Sequence, residues 1–549
     1  MKRDLQRLQN QVFDILVLGG GVSGASIAWD AVLRGFSVAL IERTDFGHAT
    51  SAATSKLIHG GLRYLAQGDI PVVRESLRER RYLEQNMPHQ VFPLPFLMPV
   101  YDFTPTPRWM LGLGFTLYDL LSWDRNYIDD PDKHIDCKRW LTREKALQLE
   151  PGLNPQGLKG AYHYYDALNR HPNRSNLEYV LSAAARGAQV ANYVECEKFI
   201  VEEASAGKRV LGVIAKDMLT GRQFPVRARV TVNATGPWGD IVLGKLHGAA
   251  QHKLVRSKGI HLLFPRFHKN ATIALETRDK HHIFLIPWGN YSLLGTTDTE
   301  FKGDPDDLHV TRDEAQDFLD LFNSYFPQKK TLADVVNAYA GLRPLVAESS
   351  VTSTYKASRR HEIVLHRKHD HVDGLISVFG GKWTTSRALA EQTVDLIEKK
   401  FGFPRRPSVS HKTPVLGGQV RSRLATFIAE AHARWDKVYP PQLIDHLIEI
   451  YGALYEKVLD YVIRDKSLLT PIDNEYPFIR AEIYYAVEQE MALTLSDFLK
   501  RRCGLGNMGY ISDRALTTVA TVMGDLLRWD NTRRREEIAA FKKSRSLIG

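Results

Sequence analysis

The sequence predicts an α/β protein that opens with a βαβ unit, continues through a region of mixed strands, and ends in a separate helical domain. Three observations lead there. Residues 12–41 read as strand, glycine turn, helix and strand; strand-rich segments recur up to about residue 381; and beyond about residue 414 long amphipathic patterns replace them. The 549 residues allow roughly three to four domain-sized units. With 44% hydrophobic and 25% charged residues, the chain is neither disordered nor collagen-like.

Taken in order, the opening MKRDLQRLQNQ is basic and polar with no apolar signal core behind it, so nothing there directs secretion. Val12–Leu18 is β-rich, residues 25–33 have helical composition, Gly35 can stop that helix, and residues 37–41 return to strand. Residues 109–123 are the most apolar stretch, but Gly112, Gly114 and Asp119 break it, short of the roughly 20 apolar residues a spanning helix needs. A hairpin is expected to turn at Thr220-Gly221 and to lead into a strand over 228–233. Residues 282–298 and 361–381 are strand-rich, and 312–326 carries helical spacing between them. Residues 404–418, rich in Pro and Gly, are the linker. Helical patterns follow over 420–439, 441–460, 478–502 and 512–544, without internal repeats.

Cys137, Cys196 and Cys503 lie far apart, which supports neither a disulfide framework nor a thiolate zinc cage and fits a reducing compartment. Lys plus Arg number 73 against 63 acidic residues, a net charge of +10 that favours phosphates, anionic lipid or nucleic acid.

Gly19-Gly20-Gly21-Val22-Ser23-Gly24 satisfies GxGxxG between a strand and a helix, and Glu42 follows at the end of the next strand. Gly19, Gly21, Val22, Ser23 and Gly24 would bring the backbone close to a pyrophosphate at a helix N-terminus, while Glu42 accepts hydrogen bonds from a ribose. Arg43 stands beside it without a second basic neighbour, so a 2′-phosphate is not favoured. No second cassette for nicotinamide is visible, which makes FAD the leading cofactor of this Rossmann-like unit.

Residues 50–65, TSAATSKLIHGGLRYL, suit a loop passing close to a flat ligand. The string SKLIHGGLRYL, with GGGVSGA upstream and VNATGPW, YAGLRPL and SVFGGKWTT downstream, resembles the flavin-dependent glycerol-3-phosphate dehydrogenase family of the membrane-associated, quinone-reducing type. The resemblance runs over about residues 12–390 and more loosely beyond. It implies a glutathione-reductase-like FAD domain and a mixed-sheet substrate domain of the amino-acid-oxidase type. It implies an FAD-dependent oxidoreductase region over 1–410, with FAD-binding segments at about 12–90, 165–240 and 340–400. A substrate or cap domain at about 91–164 and 241–339 interleaves with them, and 411–549 forms the helical C-terminal domain. The implied reaction oxidises sn-glycerol 3-phosphate to dihydroxyacetone phosphate by hydride transfer from C2 to flavin N5, with electrons passing to a membrane quinone.

By the same resemblance Thr50, Ser51, Lys56, Leu57, Ile58 and His59 line the flavin, and His59, Arg63 and Tyr64 sit where flavin meets substrate. Val194, Ala234, Thr235 and Gly236 contact the dinucleotide, and Gly380, Gly381, Lys382, Trp383 and Thr384 approach the pyrimidine side of the ring. Arg343 and Lys382 match substrate-contacting positions, with Arg343 counted among the catalytic residues; Arg359, or the adjacent Arg360, adds a further arginine. Chemistry agrees, because a phosphate dianion in a partly dry cleft needs several cations, and Arg63, Arg343, Arg359 and Lys382 make such a clamp. Removing the hydroxyl proton needs a base, and neutral imidazole suits this better than arginine, which points to His59 or His261. Ile260 stands where the family carries serine beside that histidine, and the second aspartate expected near His171 is absent.

His268, His281, His282, His366, His369 and His371 lack a carboxylate–histidine signature, so no metal is expected, and no calcium loop is visible. Residues 91–123, with Phe96, Met98, Trp109 and Phe115, fit either a peripheral membrane attachment or core and dimer contacts. The expected location is therefore cytoplasmic, peripheral on the inner face of the cytoplasmic membrane, with a homodimer left open. Two alternatives are an oxidase that returns peroxide and a related flavoenzyme acting on another small polar substrate. The aromatics and cations around Tyr484, Tyr485, Lys500, Arg501, Arg502 and 533–535 look like solvated helix faces, so no nucleic-acid partner is expected.

Overall fold

The structure is a computed structural model that describes residues 1–204, 207–247, 254–346, 360–420, 423–473 and 475–545. Among these, strands assemble into two sheets. The first has nine strands, with His361–Leu365, Leu375–Gly380, Gln223–Asn233, Val12–Leu18, Val38–Ile41 and Gln189–Ala191 in spatial order. Val12–Leu18 is parallel to both Gln223–Asn233 and Val38–Ile41. A parallel strand is covered on both faces, which is why Val38–Ile41 is apolar and buried at every position. Helices Val22–Leu33, Pro172–Ala185 and Ser386–Lys400 cover one face through Ile27, Trp29, Leu177, Val180, Leu389 and Val394. On the other face Leu16, Leu18, Phe199, Val213 and Phe224 meet beneath the hairpin Val194–Ala204 and Gly207–Asp217.

The second sheet has ten strands, ordered Thr299–Phe301, Leu254–Pro265, Tyr291–Gly295, His282–Trp288, Thr272–Glu276, Val91–Tyr101, Leu158–Asn169 and Leu57–Ile58, with Asn337–Val346 and Arg139–Thr142 branching from it. Asn337–Val346 belongs wholly to this sheet, paired along Leu254–Pro265, so an expected boundary at 340 falls inside one strand. Helix Arg312–Tyr325 backs the sheet with Phe318, Leu319 and Phe322, and begins in a capping box between Thr311 and Glu314. Phe96, Met98 and Phe115 are core residues, each at most 2% exposed, whereas Trp109 on helix Arg108–Leu121 is 68% exposed.

Several expected C-terminal helices are shorter than their sequence patterns. The 441–460 pattern divides at Gly452 into Pro441–Tyr451 and Tyr455–Arg464, 478–502 breaks at Met491, and 512–544 breaks at Arg528 into Asp513–Leu527 and Asn531–Lys543. Each break carries a residue at positive φ. Because both sides of a break bury apolar residues in the same core, the helical period runs on across it.

This domain docks on the first sheet through buried charge. Asp45 accepts hydrogen bonds from Arg501 Nε (2.5 Å), Arg502 Nη1 (2.6 Å) and Arg502 Nη2 (2.9 Å), and Arg174 Nη1 donates to Glu490 at 2.6 Å.

Candidate active site

At the C-terminal end of Val12–Leu18 the chain must turn sharply into helix Val22–Leu33. Gly19 takes φ +99°, and a Cβ there would lie 2.7 Å from Ala234 O; a Cβ on Gly24 would lie 1.9 Å from Gly19 O. Only glycine permits this approach of turn, helix and neighbouring strand. The helix begins after Gly21 without a side-chain cap from that residue, and Ser51 Oγ accepts from Val22 N at 2.8 Å. Glu42, at the end of Val38–Ile41, accepts from Gly20 N (2.7 Å), Thr44 N (2.9 Å) and Thr44 Oγ1 (3.0 Å); burial pushes its carboxyl above the usual range. Arg43 pairs with Asp306 and lies over the Trp238 ring.

These residues line a cavity of about 230 Å³. Of the expected cofactor positions, Gly19, Gly21, Val22, Ser23, Glu42, Arg43, Thr50, Ser51, Val194, Ala234, Thr235, Gly236, Gly380, Gly381, Lys382 and Trp383 lie on its wall. Gly24 is packed behind the turn. Lys56, Leu57, Ile58, His59 and Thr384 stand outside this wall: Lys56 is buried against Trp288, Leu57–Ile58 pairs with Leu168 and Ala167, and His59 N donates to Thr384 Oγ1 at 3.4 Å. Sequence reasoning missed His48 and Lys245, which sit in no motif, and gave no role to Thr54 and Trp238, which lie within the 50–65 segment and VNATGPW; all four line the cavity. The donor set suits a dinucleotide: a helix N-terminus and glycine cradle for the pyrophosphate, Glu42 for the ribose, and the Gly380–Lys382 turn on the same wall.

The second sheet reaches the cavity wall through Pro344 and packs against the 50–54 segment, where Thr50 Oγ1 donates to Leu342 O at 2.7 Å. Ser257, Gly259 and His261 alternate along Leu254–Pro265 and register with Arg343, Gly341 and Tyr339, so all six share one face. Gly341 leaves room for the loop above, since a Cβ there would lie 2.7 Å from Ala53 O. Arg343 is held by Ser257 Oγ (3.1 Å), Thr296 Oγ1 (3.0 Å) and Thr297 O (3.3 Å). His261 Nε2 bonds Ser55 Oγ at 2.8 Å and its ring stacks on Tyr339 at 4.9 Å. Burial, then Arg343 and Lys56, hold its imidazole well below the ordinary histidine range, so it is neutral.

Lys382 Nζ donates to Ser76 Oγ at 2.5 Å and lies 4.5 Å from the Tyr64 ring centre. The glycine pair after His59 is tied down by buried groups: Gly60 N donates to Tyr118 OH (2.9 Å), which itself donates to Asp166 (2.7 Å), and Arg80 pairs with Asp166 at 3.0 Å. Arg63 is in the helix Leu62–Ala66. Arg359 lies outside the described residues; Arg360 pairs with Asp69 at 2.6 Å, with its side chain 59% exposed. Among the described residues no group of three His, Cys, Asp or Glu is placed to hold a metal. His366 bonds Asp370 and Ser377, and His268 bonds Ser292, so these imidazoles serve packing.

The family described as FAD dependent oxidoreductase matches residues 14–396, and the C-terminal domain of alpha-glycerophosphate oxidase matches 408–534. The chain is 34% identical to a glycerol-3-phosphate dehydrogenase of Mycobacterium leprae over 98% of its own length and 88% of that relative. It is 33% identical to the human mitochondrial glycerol-3-phosphate dehydrogenase, over 98% and 74% of the two chains. Among solved structures, glycerol-3-phosphate dehydrogenase from Bacillus halodurans complexed with FAD superposes with a TM-score of 0.75 at 27% identity, covering 98% of this chain and 95% of that one. The α-glycerophosphate oxidase of Mycoplasma pneumoniae, at 17% identity and a TM-score of 0.55, shares the fold over 74% of this chain and 99% of its own. The cradle, the two-sheet architecture and the helical C-terminal domain thus agree with these matches, and the chain belongs to the FAD dependent oxidoreductase family, within its glycerol-3-phosphate dehydrogenases, with FAD as cofactor.

Proposed function

We propose that this enzyme oxidises sn-glycerol 3-phosphate at C2 on the face of the second sheet that carries Arg343, and that its electrons leave to a membrane quinone. FAD, when bound, supplies the two-electron acceptor for the alcohol carbon. Arg343 carries the reading: it is half-buried and donates to the neutral oxygens of Ser257, Thr296 and Thr297, a pre-oriented guanidinium suited to phosphate oxygens. Lys382, on the wall of the cofactor cavity, adds a second cation. Burial makes His261 a weak base, and Ser55 occupies its Nε2. We therefore assign proton removal from the hydroxyl to His59, beside Thr384, and to His261 the role of a neutral wall that keeps the anion in register.

A membrane surface fits the quinone. Among the described residues no helix is long and apolar enough to cross a membrane. Helix Arg108–Leu121 instead turns Trp109, Met110, Leu113 and Leu120 outward, with Trp123 and Tyr127 beside them, and buries Leu111, Phe115 and Tyr118. An aromatic and aliphatic face on a chain of net charge +10 favours shallow insertion into an anionic bilayer. Tyr118, on the inner side, reaches Gly60 directly, so the docking helix and the site loop share one buried hydrogen-bond network.

Anaerobic addition of sn-glycerol 3-phosphate is expected to bleach the flavin absorbance, and a short-chain quinone analogue to restore it. Bleaching by glycerol at equal concentration would defeat the phosphate clamp. Stoichiometric oxygen consumption without quinone would defeat the acceptor assignment.

A further inference from the structure

A second, much smaller cavity of about 10 Å³ lies where the Lys56 segment, helix Pro172–Ala185 and the C-terminal domain meet. This is about the space at which a cavity first admits one water-sized particle. Its wall holds Lys56, Arg170, His171, Arg174, Arg501 and Arg502 and no carboxylate.

Most of these cations are already matched. Arg170 and His171 share Glu449, Arg174 pairs with Glu490, and Arg501 and Arg502 share Asp45. Lys500 turns its ammonium away to Ser544. Lys56 differs. It is 4% exposed, and among the described residues no carboxylate or hydrogen-bond acceptor is placed on its Nζ, which lies 4.2 Å from the Trp288 ring centre on the same cavity wall. Burial alone pushes its ammonium down to about 7.

Two further groups converge on the same space. Helix Pro172–Ala185 is 14 residues long and starts here without a side-chain cap, so its positive end faces the cavity at Pro172, Asn173 and Arg174. Arg174, 1% exposed, leaves Nη2 without a hydrogen-bond partner. One unmatched cation, one uncapped helix end and one orphaned guanidinium N–H in a space for a single atom favour one negative charge.

We propose that this cavity binds one halide-sized monovalent anion, of the class of chloride, as the counter-charge of Lys56. The anion joins three parts of the chain: the segment leading to His59, the helix behind the cofactor turn, and the Arg501–Asn507 segment of the C-terminal domain. It also screens Lys56 from His261, on which that lysine acts electrostatically.

Thermal unfolding of the FAD-loaded enzyme in sodium bromide and in sodium gluconate at equal ionic strength tests this. The wild type is expected to melt about 2 °C or more higher in bromide, and Lys56→Gln to show no halide-specific difference. Crystals grown in bromide should show an anomalous peak beside Lys56 Nζ, a measurement that stands even if the variant fails to fold. Equal melting in both salts, an undiminished bromide effect in Lys56→Gln, or a cavity holding only water would overturn the site.

Discussion

Replacing Asp45 by asparagine removes the carboxylate on which the C-terminal domain hangs its two buried arginines. Asp45 is 0% exposed and accepts from Arg501 Nε, from both terminal nitrogens of Arg502, and from Asn192 Nδ2 at 2.9 Å. Breaking a buried ion pair from one side costs about 3–5 kcal/mol. The lower end applies, because Arg501 keeps Asp497 at 2.5 Å and Arg502 keeps Glu490 O at 2.8 Å. The loss reaches the cofactor, since Asp45 pins the chain between Thr44 and His48, both on the cavity wall. Burial works to raise the Asp45 carboxyl, but Arg502 and Arg501 overcome it and hold it well below the usual carboxylate range. Its stabilisation is therefore fully present above the unfolded pKa of about 3.9 and fades only as pH falls below that toward the folded value. Chemical unfolding followed both by circular dichroism and by released-flavin fluorescence should show a deficit of about 3 kcal/mol, constant from about pH 8 to about pH 5, with weaker flavin retention. A variant within about 0.5 kcal/mol of wild type, or one destabilised with undiminished flavin affinity, refutes the brace.

Gly24→Ala places a methyl group 1.9 Å from Gly19 O, so the protein should purify colourless while its circular dichroism stays close to wild type. Arg343→Ala should lower kcat/KM for glycerol 3-phosphate by about 30- to 1,000-fold, the equivalent of about 2–4 kcal/mol, at unchanged flavin stoichiometry. Because the buried His261 refuses a proton that the unfolded chain accepts at about 6.5, it should contribute about 1.4 kcal/mol of lost stability per pH unit below that value, so the acid-side slope of His261→Asn in unfolding titrations should be shallower than wild type by about that amount. Trp109→Ser with Leu113→Ser should abolish binding to anionic vesicles without changing turnover with a soluble dye, as both side chains face outward.

The cofactor end of the site was legible in the sequence because its chemistry is local. GxGxxG, the following strand and Glu42 lie within one βαβ unit, and close backbone approach admits no residue but glycine at 19 and 24. The proposed substrate end was legible only as motif fragments. Arg343 stands in a motif, but its anchors come from elsewhere, Ser257 from the neighbouring strand and Thr296 and Thr297 from the loop before Thr299–Phe301, and single polar residues there carry no mark of what they face. Lys56 shows the limit most clearly: it sits in the most specific string of the chain, yet the fold places it outside the cavity wall and against Trp288.

What the sequence by itself determined was the class of the protein and its cofactor, since glycine turns, periodicity and charge act over a few residues. Tertiary structure alone decided which cations remain unmatched, where the C-terminal helices break, and that Asp45 binds Arg501 and Arg502 from more than 450 positions away. Burial and pairing are properties of the packed chain, and they set whether a charged side chain becomes a ligand, a brace or a surface.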